Sequence, residues 1–450
     1  MAKYVVCRGL LTPGCLACLI ALAAGSRAVS QEPAAGDRNP RTSVLTLPAA
    51  LRFALENNPA LAAQRGQLGI ASARVVIAET YPFNPVLENR VQAAGGPQSA
   101  GITNGVPVEH IFLWEVELRN QGRYRRQAAA AALSRTEWEI ASQEQTLAID
   151  VIRAYTALLY RREKLRLLDE TLRLNERLVE DVRRLVDLGR LRSADLIVAR
   201  TEVTDTLDLV AAGREAVEAA RQDLNKALGV AGAEFEVEGV LEPPPWKWDP
   251  QALTELALAR RADLHARRLA VAEAAANVRL AVANRYGNPT VGPAFSYDPS
   301  RVSMIGIQVN VPLPIGNTRR GEIAQSEAER GQAVLLLRQA EYAVRQDLAA
   351  ALARLAAAER RAEQSRTRGL PETRRAVEDM EKLFQAGEPG VDVLKVIDAR
   401  RKLLRARDSY LDALWSVRQA RIDVAAAAGE PALGMVTPPP PPAPPGPPKP

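Results

Sequence analysis

The chain has 450 residues, of which 59 are basic and 53 acidic, and a formal net charge of +6. That small excess is spread in mixed order with no concentrated basic patch, which gives nucleic acid no footing. All three cysteines lie before residue 19, so the remainder has neither a disulfide nor a thiol nucleophile, and no later window of 18 apolar residues offers a membrane-spanning helix.

The start reads as an export signal over residues 1–28. Lys3 and Arg8 are followed by an apolar run from Leu10 to Ala24, broken only by Thr12, and Ser26-Arg27-Ala28 is a small-residue cleavage site. An uncleaved anchor and a lipidated cysteine are the alternatives, although Thr12-Pro13-Gly14 and Cys15-Leu16-Ala17 are poor contexts for lipidation. Residues 29–46 form a flexible lead-in rich in Pro, Gly and Arg.

A first half is expected over 47–229. A short helix follows Leu47-Pro48 and is interrupted at Asn57-Asn58-Pro59; an Ala-rich helix from about 60 to 78 stops before Tyr81-Pro82 and Asn84-Pro85. The period then changes to two, over 86–91 and again over 108–118. In the second stretch His110, Phe112, Trp114, Val116 and Leu118 share one side, with Glu109, Ile111, Leu113, Glu115 and Glu117 on the other. From 124 to 187 there is neither Gly nor Pro, which predicts one helix about 96 Å long at 1.5 Å per residue. Leu167, Leu174, Leu178 and Leu185 supply a heptad-like seam, answered by Val203, Leu207, Val210, Val217, Leu224 and Leu228 in a helix that runs on to Gly229.

After a linker at 230–247, residues 248–430 repeat the plan. Helices at 252–258 and 266–283 precede strands at 291–297 and 304–313, the second with Ile305, Ile307, Val309 and Val311 on one side and Gln308 and Asn310 on the other. A long helix from about 319 to 368 meets a break at Gly369-Leu370-Pro371, and a last helix carries Ile397, Leu404, Leu411, Trp415 and Ile422. The two turn glycines, Gly189 and Gly387, are 198 residues apart; the helix-ending glycines, Gly229 and Gly429, are 200 apart. Such a period is too long for a solenoid unit and marks a duplicated half-protein. Residues 431–450 are mostly proline, an extended tail outside any core.

Four half-apolar strands per chain cannot close a barrel, and an open edge is intolerable in lipid. Either several chains share one barrel with a wet lumen, or each strand pair is a small hairpin packed on the helices. Periodicity does not choose between these.

The layout resembles the TolC-like outer-membrane efflux proteins, within them the heavy-metal efflux (CzcC/CusC-like) branch. The likeness rests on Gly189 to Glu202, on Gly387 to Arg401 with an apparent two-residue insertion, on the opening helix Leu45 to Pro59 and on the strand exit Pro312 to Asn317. It implies a mainly α fold with a β-barrel part: a trimeric outer-membrane barrel of twelve strands on a long periplasmic α-helical barrel. It also implies no catalysis and no cofactor. The expected partners are two more copies of the chain, a periplasmic adaptor, an inner-membrane pump of the RND type, and outer-membrane lipid. The implied role is passive conduction of substrates, heavy-metal cations among them, from pump and adaptor to the exterior. A type I secretion or drug-efflux duct is the nearest alternative, with an exported coiled-coil structural or adaptor protein further off.

The resemblance places the periplasmic mouth and adaptor contact at Gly189, Arg190, Arg192, Asp195, Gly387, Asp392 and Asp398. The insertion leaves Asp392 and Asp398 as competing counterparts of Asp195, and for these acids a role in helix N-terminal electrostatics stands beside gating. Ile305, Ile307, Val309 and Val311 are the expected lipid-facing stripe. His110 and His265 are far apart and Met304, Met380 and Met435 do not cluster, so no metal site is expected. No phosphate loop, zinc pattern or nucleophile elbow occurs.

Overall fold

A computed structural model describes residues 44–93, 95, 105–242, 249–386, 388 and 390–435. The export signal, most of the lead-in, Gly387 and the tail beyond Met435 lie outside the described residues. In chain order the elements are β1 (Val44–Leu45), α1 (Leu47–Asn57), α2 (Pro59–Glu79), β2 (Val86–Val91), β3 (Val108–Glu115), α3 (Gln121–Asp187) and α4 (Ser193–Leu228). The second series is β4 (Glu236–Val237), α5 (Pro250–Arg260), α6 (Ala262–Ala283), β5 (Thr290–Tyr297), β6 (Ser303–Asn310), α7 (Arg320–Gln364), α8 (Leu370–Ala386) and α9 (Val393–Ala428).

The duplication is closer in space than the glycine spacing suggested. α4 and α9 each have 36 residues and are offset by 200 positions throughout. α3 has 67 residues. Its counterpart is the run of α7, a five-residue π-turn at Ser365–Gly369, and α8; this run, 320–386, is equally long. The expected break at Pro371 is thus a wide turn inside one continuous helical run. Proline lacks an amide hydrogen and its ring crowds the carbonyl four residues back, and a π-turn just ahead relieves that crowding.

The same joint is built twice. Asn58 caps α2 by accepting from the amides of Ala60 and Leu61 while its own amide donates to Ala227 O at 3.0 Å. Arg261, between α5 and α6, donates to Ala427 O at 3.0 Å. Each contact ties a short helix pair to the C-terminal end of the long helix 200 positions apart. Gly229 and Gly429 end those helices at φ +78° and +67°, and an added Cβ would lie 2.5 Å from Pro59 Cδ and 2.6 Å from Arg261 Cγ. Glycine is therefore required twice over, by backbone sign and by close approach.

Around these joints sit the two largest cores. Leu51, Ile152, Tyr155, Leu158 and Leu224 anchor one; Leu253, Leu264, Val344, Leu348 and Val424 anchor the other. The first core reaches beyond the expected boundaries. β1, inside the supposed lead-in, pairs in parallel with β4 of the linker. The Tyr155 hydroxyl lies 2.7 Å from the carbonyl oxygens of both Leu45 and Glu238. Residues 431–434 form a 3-10 turn, and Leu433 and Met435 pack on the same core, so order extends past 430. Arg418 is buried with its guanidinium on the carbonyls of Val240, Leu241 and Glu242, at 2.9 to 3.0 Å. Burial pushes its pKa down to about 10, so it stays charged at neutral pH and clamps the linker to α9.

The long seams differ from the heptads in phase. Leu178, Val210, Val217 and Leu224 are buried as expected, but Leu174 and Leu207 are exposed. Their neighbours Asn175 and Thr206 occupy the interface instead, joined by a 2.9 Å hydrogen bond. A count of apolar residues alone passes over such a polar pair. Asn175→Leu alone should cost about 1 kcal/mol by removing the bond that the Thr206 hydroxyl accepts, since that hydroxyl still donates to Glu202 O at 2.7 Å; Asn175→Leu with Thr206→Val should recover most of that loss in a thermal-unfolding measurement.

Candidate membrane sheet and helix tips

The two strand pairs are not separate hairpins. They join into one antiparallel sheet in the order β2-β3-β5-β6. β3 meets β5 through His110 opposite Phe295 and Trp114 opposite Val291. The helices continue that order: α2 and β2, β3 and α3, α6 and β5, and β6 and α7 are consecutive in the chain, and α2 packs on α3, α3 on α6 and α6 on α7. β2 with α2 forms one edge and β6 with α7 the other.

Register decides the faces. Directly paired residues point to the same side of a sheet. One face therefore collects Leu87, Phe112, Trp114, Val291, Phe295, Ile305, Ile307 and Val309. The apolar sides read separately from the two halves fall on this common face. It is open in the single chain, with Ile305 84% and Ile307 77% exposed. Its two polar members in the first half satisfy each other, His110 Nδ1 lying 2.6 Å from Asn89 Oδ1. The opposite face carries Glu88, Arg90, Glu109, Glu115, Gln308 and Asn310, with Arg90 paired to Glu109 at 3.0 Å. Ile111 and Leu113 are buried on that side.

Aromatic side chains stand at both ends of the apolar face. Phe295 and Tyr297 lie beside the β5–β6 turn, and Trp114 meets Tyr81 edge-on at 6.1 Å near the helices. The second strand of each pair ends sooner than expected. Pro312, without an amide hydrogen, follows β6, which leaves Val311 beyond the strand although still exposed. β3 stops at Glu115, where the Tyr81 hydroxyl takes over its carbonyl and the Glu117 amide. The chain then enters the helix through a left-handed residue in each half, Asn120 at φ 60° and Arg319 at φ 50°. These positions are 199 apart, like the helices they start.

At the other end of the long helices the two turns come together. Leu178, Val182 and Ala199 from α3 and α4 share one apolar cluster with Val393, Val396 and Ile397 of α9. Arg401 crosses from α9 to Glu202 and to Asp205, the latter at 3.0 Å. Gly189 stands in the first turn at φ +72° with open space around it. Arg190 and Arg192 are exposed beside it.

The acids are already engaged. Asp195 is the third residue of α4 and accepts from the Arg192 backbone amide at 3.0 Å. Asp392 caps α9 by accepting from Lys395 N at 2.9 Å. Both serve helix N-termini. Asp398 pairs with Lys402 at 2.7 Å, a hydrogen bond that holds its carboxyl below the ordinary carboxylate value. In the common register of α4 and α9 the position of Asp195 is held by Lys395, so neither Asp392 nor Asp398 is its equivalent; the insertion sits in the turn before α9. An open cleft of about 420 Å³ along α8 and α9 is lined by Asp392, Lys395, Asp398 and Lys402 among others. Among the described residues no group of three His, Cys, Asp or Glu side chains is arranged to hold a metal ion, and no helix is long and apolar enough to cross a membrane.

Comparison with known proteins agrees with this architecture. Residues 253–430 match the family of outer membrane efflux proteins. No curated protein sequence matches the chain. Among solved structures, the transmembrane channel CusC superposes with a TM-score of 0.69 at 19% identity, over 85% of this chain and 92% of that one. The outer membrane protein VceC of Vibrio cholerae gives 0.69 at 17% identity, over 85% and 96%. The open MtrE outer membrane channel of Neisseria gonorrhoeae gives 0.65 at 19% identity, over 85% and 89%. Residues 253–430 thus match the outer membrane efflux protein family, and the chain along most of its length has the TolC-like outer-membrane channel fold.

Proposed function

We propose that the protein is the outer-membrane channel of a tripartite efflux system. Three copies place three four-stranded sheets in one twelve-strand barrel, with the long helices extending into the periplasm. The channel passively carries solutes delivered by an inner-membrane pump of the RND type and a periplasmic adaptor. The observation that supports this best is the sheet itself: one face is apolar and open, the other largely polar, and among the described residues neither edge strand has an outer partner. β2 of one copy can complete its hydrogen bonds only on a strand such as β6 of the next. The edge helices carry the same need, with Leu68, Ile70, Val76 and Ile77 exposed on α2 and Leu335, Leu336 and Tyr342 on α7. An interface joining unlike edges generates a closed ring when the rotation fits, and closure removes every edge from lipid.

For the cargo we propose heavy-metal cations, on the likeness of the turn segments to the heavy-metal branch and of the fold to CusC. Selection then belongs to the pump and adaptor, since the duct presents no metal-binding cluster among its described residues. The mouth is proposed at the paired turns.

The test has two readouts. Detergent-extracted protein should have the mass of three chains after correction for bound detergent, and a stable detergent-free monomer would refute the channel. Deleting the gene should raise sensitivity to divalent metals. Sensitivity to organic drugs alone would keep the channel and reassign the cargo.

A further inference from the structure

All four passages between strand and helix lie at one end of the sheet, since β2 and β5 begin where β3 and β6 end. Taken with six residues of each adjoining helix, they cover 74–86, 115–126, 278–290 and 310–325 and hold nine arginines against four glutamates, with no other charge. The opposite end is balanced. Arg90 and Glu109 flank a first connection that has no charge inside it, and Asp298 and Arg301 share the second. The excess at the helix end is not spent on ion pairs. Arg125 holds Glu117 at 2.7 Å, but Arg119, Arg123, Arg126, Arg279 and Arg319 are exposed and make no ion pair among the described residues. Two guanidiniums lie on one tyrosine instead, that of Arg119 at 3.8 Å from the Tyr286 ring centre and that of Arg285 at 5.6 Å. Apolar side chains stand among them, with Leu118 68%, Leu313 70% and Ile315 84% exposed. At the end of β3 the Tyr81 ring meets Phe83 and Trp114 edge-on.

We propose that this collar binds anionic phospholipid headgroups of the periplasmic leaflet, its guanidiniums on the phosphates and its aromatic and aliphatic side chains in the layer next to the acyl chains. A guanidinium presents a planar fork of donors that matches a phosphate, and its long stem can lie on apolar surface while the charge stays in water. Aromatic rings favour the same headgroup level. The exposed Leu118, Leu313 and Ile315 suit a lipid–water boundary and would be out of place in a solvated lumen. Arg119 and Arg123 lie between β3 and α3, inside the sheet order and away from both of its edges, so each chain carries its own share of the collar. The proposal rests on the channel reading for the membrane around the sheet. It adds a charge preference that the balanced opposite end lacks, since basic residues near an anionic surface are attracted to it.

The intact assembled protein in neutral detergent is titrated with mixed micelles that carry phosphatidylglycerol or, in parallel, phosphatidylcholine. At low salt phosphatidylglycerol should bind about tenfold more tightly, and added salt should remove much of that margin. Arg119→Gln with Arg123→Gln should weaken phosphatidylglycerol binding by about tenfold, while Arg119→Lys with Arg123→Lys should retain most of it. Arg90→Gln with Arg301→Gln removes two cations from the opposite end and should leave binding unchanged. Equal affinity for the two lipids, no loss in the first double variant, or the same loss in the last would overturn the proposal. Glycerol phosphate, the headgroup without its chains, should not compete at equal concentration; competition would make the collar a site for free anions and not a lipid surface. A changed ion preference of the reconstituted channel in the Arg119→Gln, Arg123→Gln variant, with lipid binding intact, would turn these guanidiniums to the lumen and overturn the proposal as well. Assembled mass, read on the same samples, reports separately on the channel reading.

Discussion

Arginine at Ile307 should block delivery of the protein into the outer membrane, whereas arginine at the next residue, Gln308, should leave it inserted. Ile307 lies in the middle of β6, 77% exposed, and its direct partner across the strand pair is Pro293. Every neighbour in its row of the sheet, from Leu87 through Phe112 to Pro293, is apolar. In the proposed barrel a cation there faces hydrocarbon, which costs about 2–4 kcal/mol near the bilayer midplane. In the proposed three-chain barrel that penalty is incurred three times. Gln308 pairs with Gly292 on the opposite face, beside Asn310. In the proposed barrel a cation there enters the lumen and should change conductance rather than yield. The measurement is the fraction of protein in heat-resistant, membrane-inserted form for each variant. Equal yields for the two would remove β6 from the membrane, and the reverse ranking would exchange the faces.

Much of this arrangement was legible in the sequence because it depends on local periodicity. Alternation over 86–91 and 108–118 located two strands and one apolar side, and the Pro- and Gly-free run from 124 to 187 located the long helix to within three residues at its start. The pairing of β3 with β5 was not legible. It joins residues nearly two hundred positions apart, and nothing in either strand's pattern names its partner. Without that pairing, two packed hairpins and one shared sheet predict the same alternation.

The tip register was hidden for a different reason. Gly189 and Gly387 stand in the two turns at a separation of 198, but the helices they serve follow a separation of 200. Matching the glycines therefore set Asp195 against the wrong acids, when the helix register sets it against Lys395. The seam phase failed at Leu174 and Leu207 because Asn175 and Thr206 are buried by a hydrogen bond that an apolar count does not contain. The left-handed residue at Arg319 carried no signal either, since arginine rarely adopts such a backbone, whereas asparagine at 120 is a residue type that favours it.

The join between the two halves of the sheet should fail on the addition of a single methyl group. Gly292 lies in β5 where the strand passes β3, and a Cβ built there would lie 1.5 Å from the carbonyl oxygen of Phe112. No side-chain rearrangement relieves that contact, because the obstructing atom is backbone. Pro293 follows and has no amide hydrogen, so the ladder is already thin at this level: the direct β3–β5 pairs run from Val108 to Ile111 and resume at Trp114 and Glu115. Gly292→Ala must push β3 and β5 apart at this level of the sheet. The expected result is loss of assembled barrel with helix content largely kept, since the two large cores lie elsewhere. Gly306→Ala is the matched control. It is also a glycine-to-alanine change, in the neighbouring strand and paired with Ala294, but a Cβ there meets nothing within 4 Å. Assembled protein should therefore survive Gly306→Ala and disappear in Gly292→Ala, as read by heat-modifiable mobility of the extracted protein. Survival of both would mean that β3 and β5 do not lie against each other, and the two halves would then reach the membrane as separate hairpins.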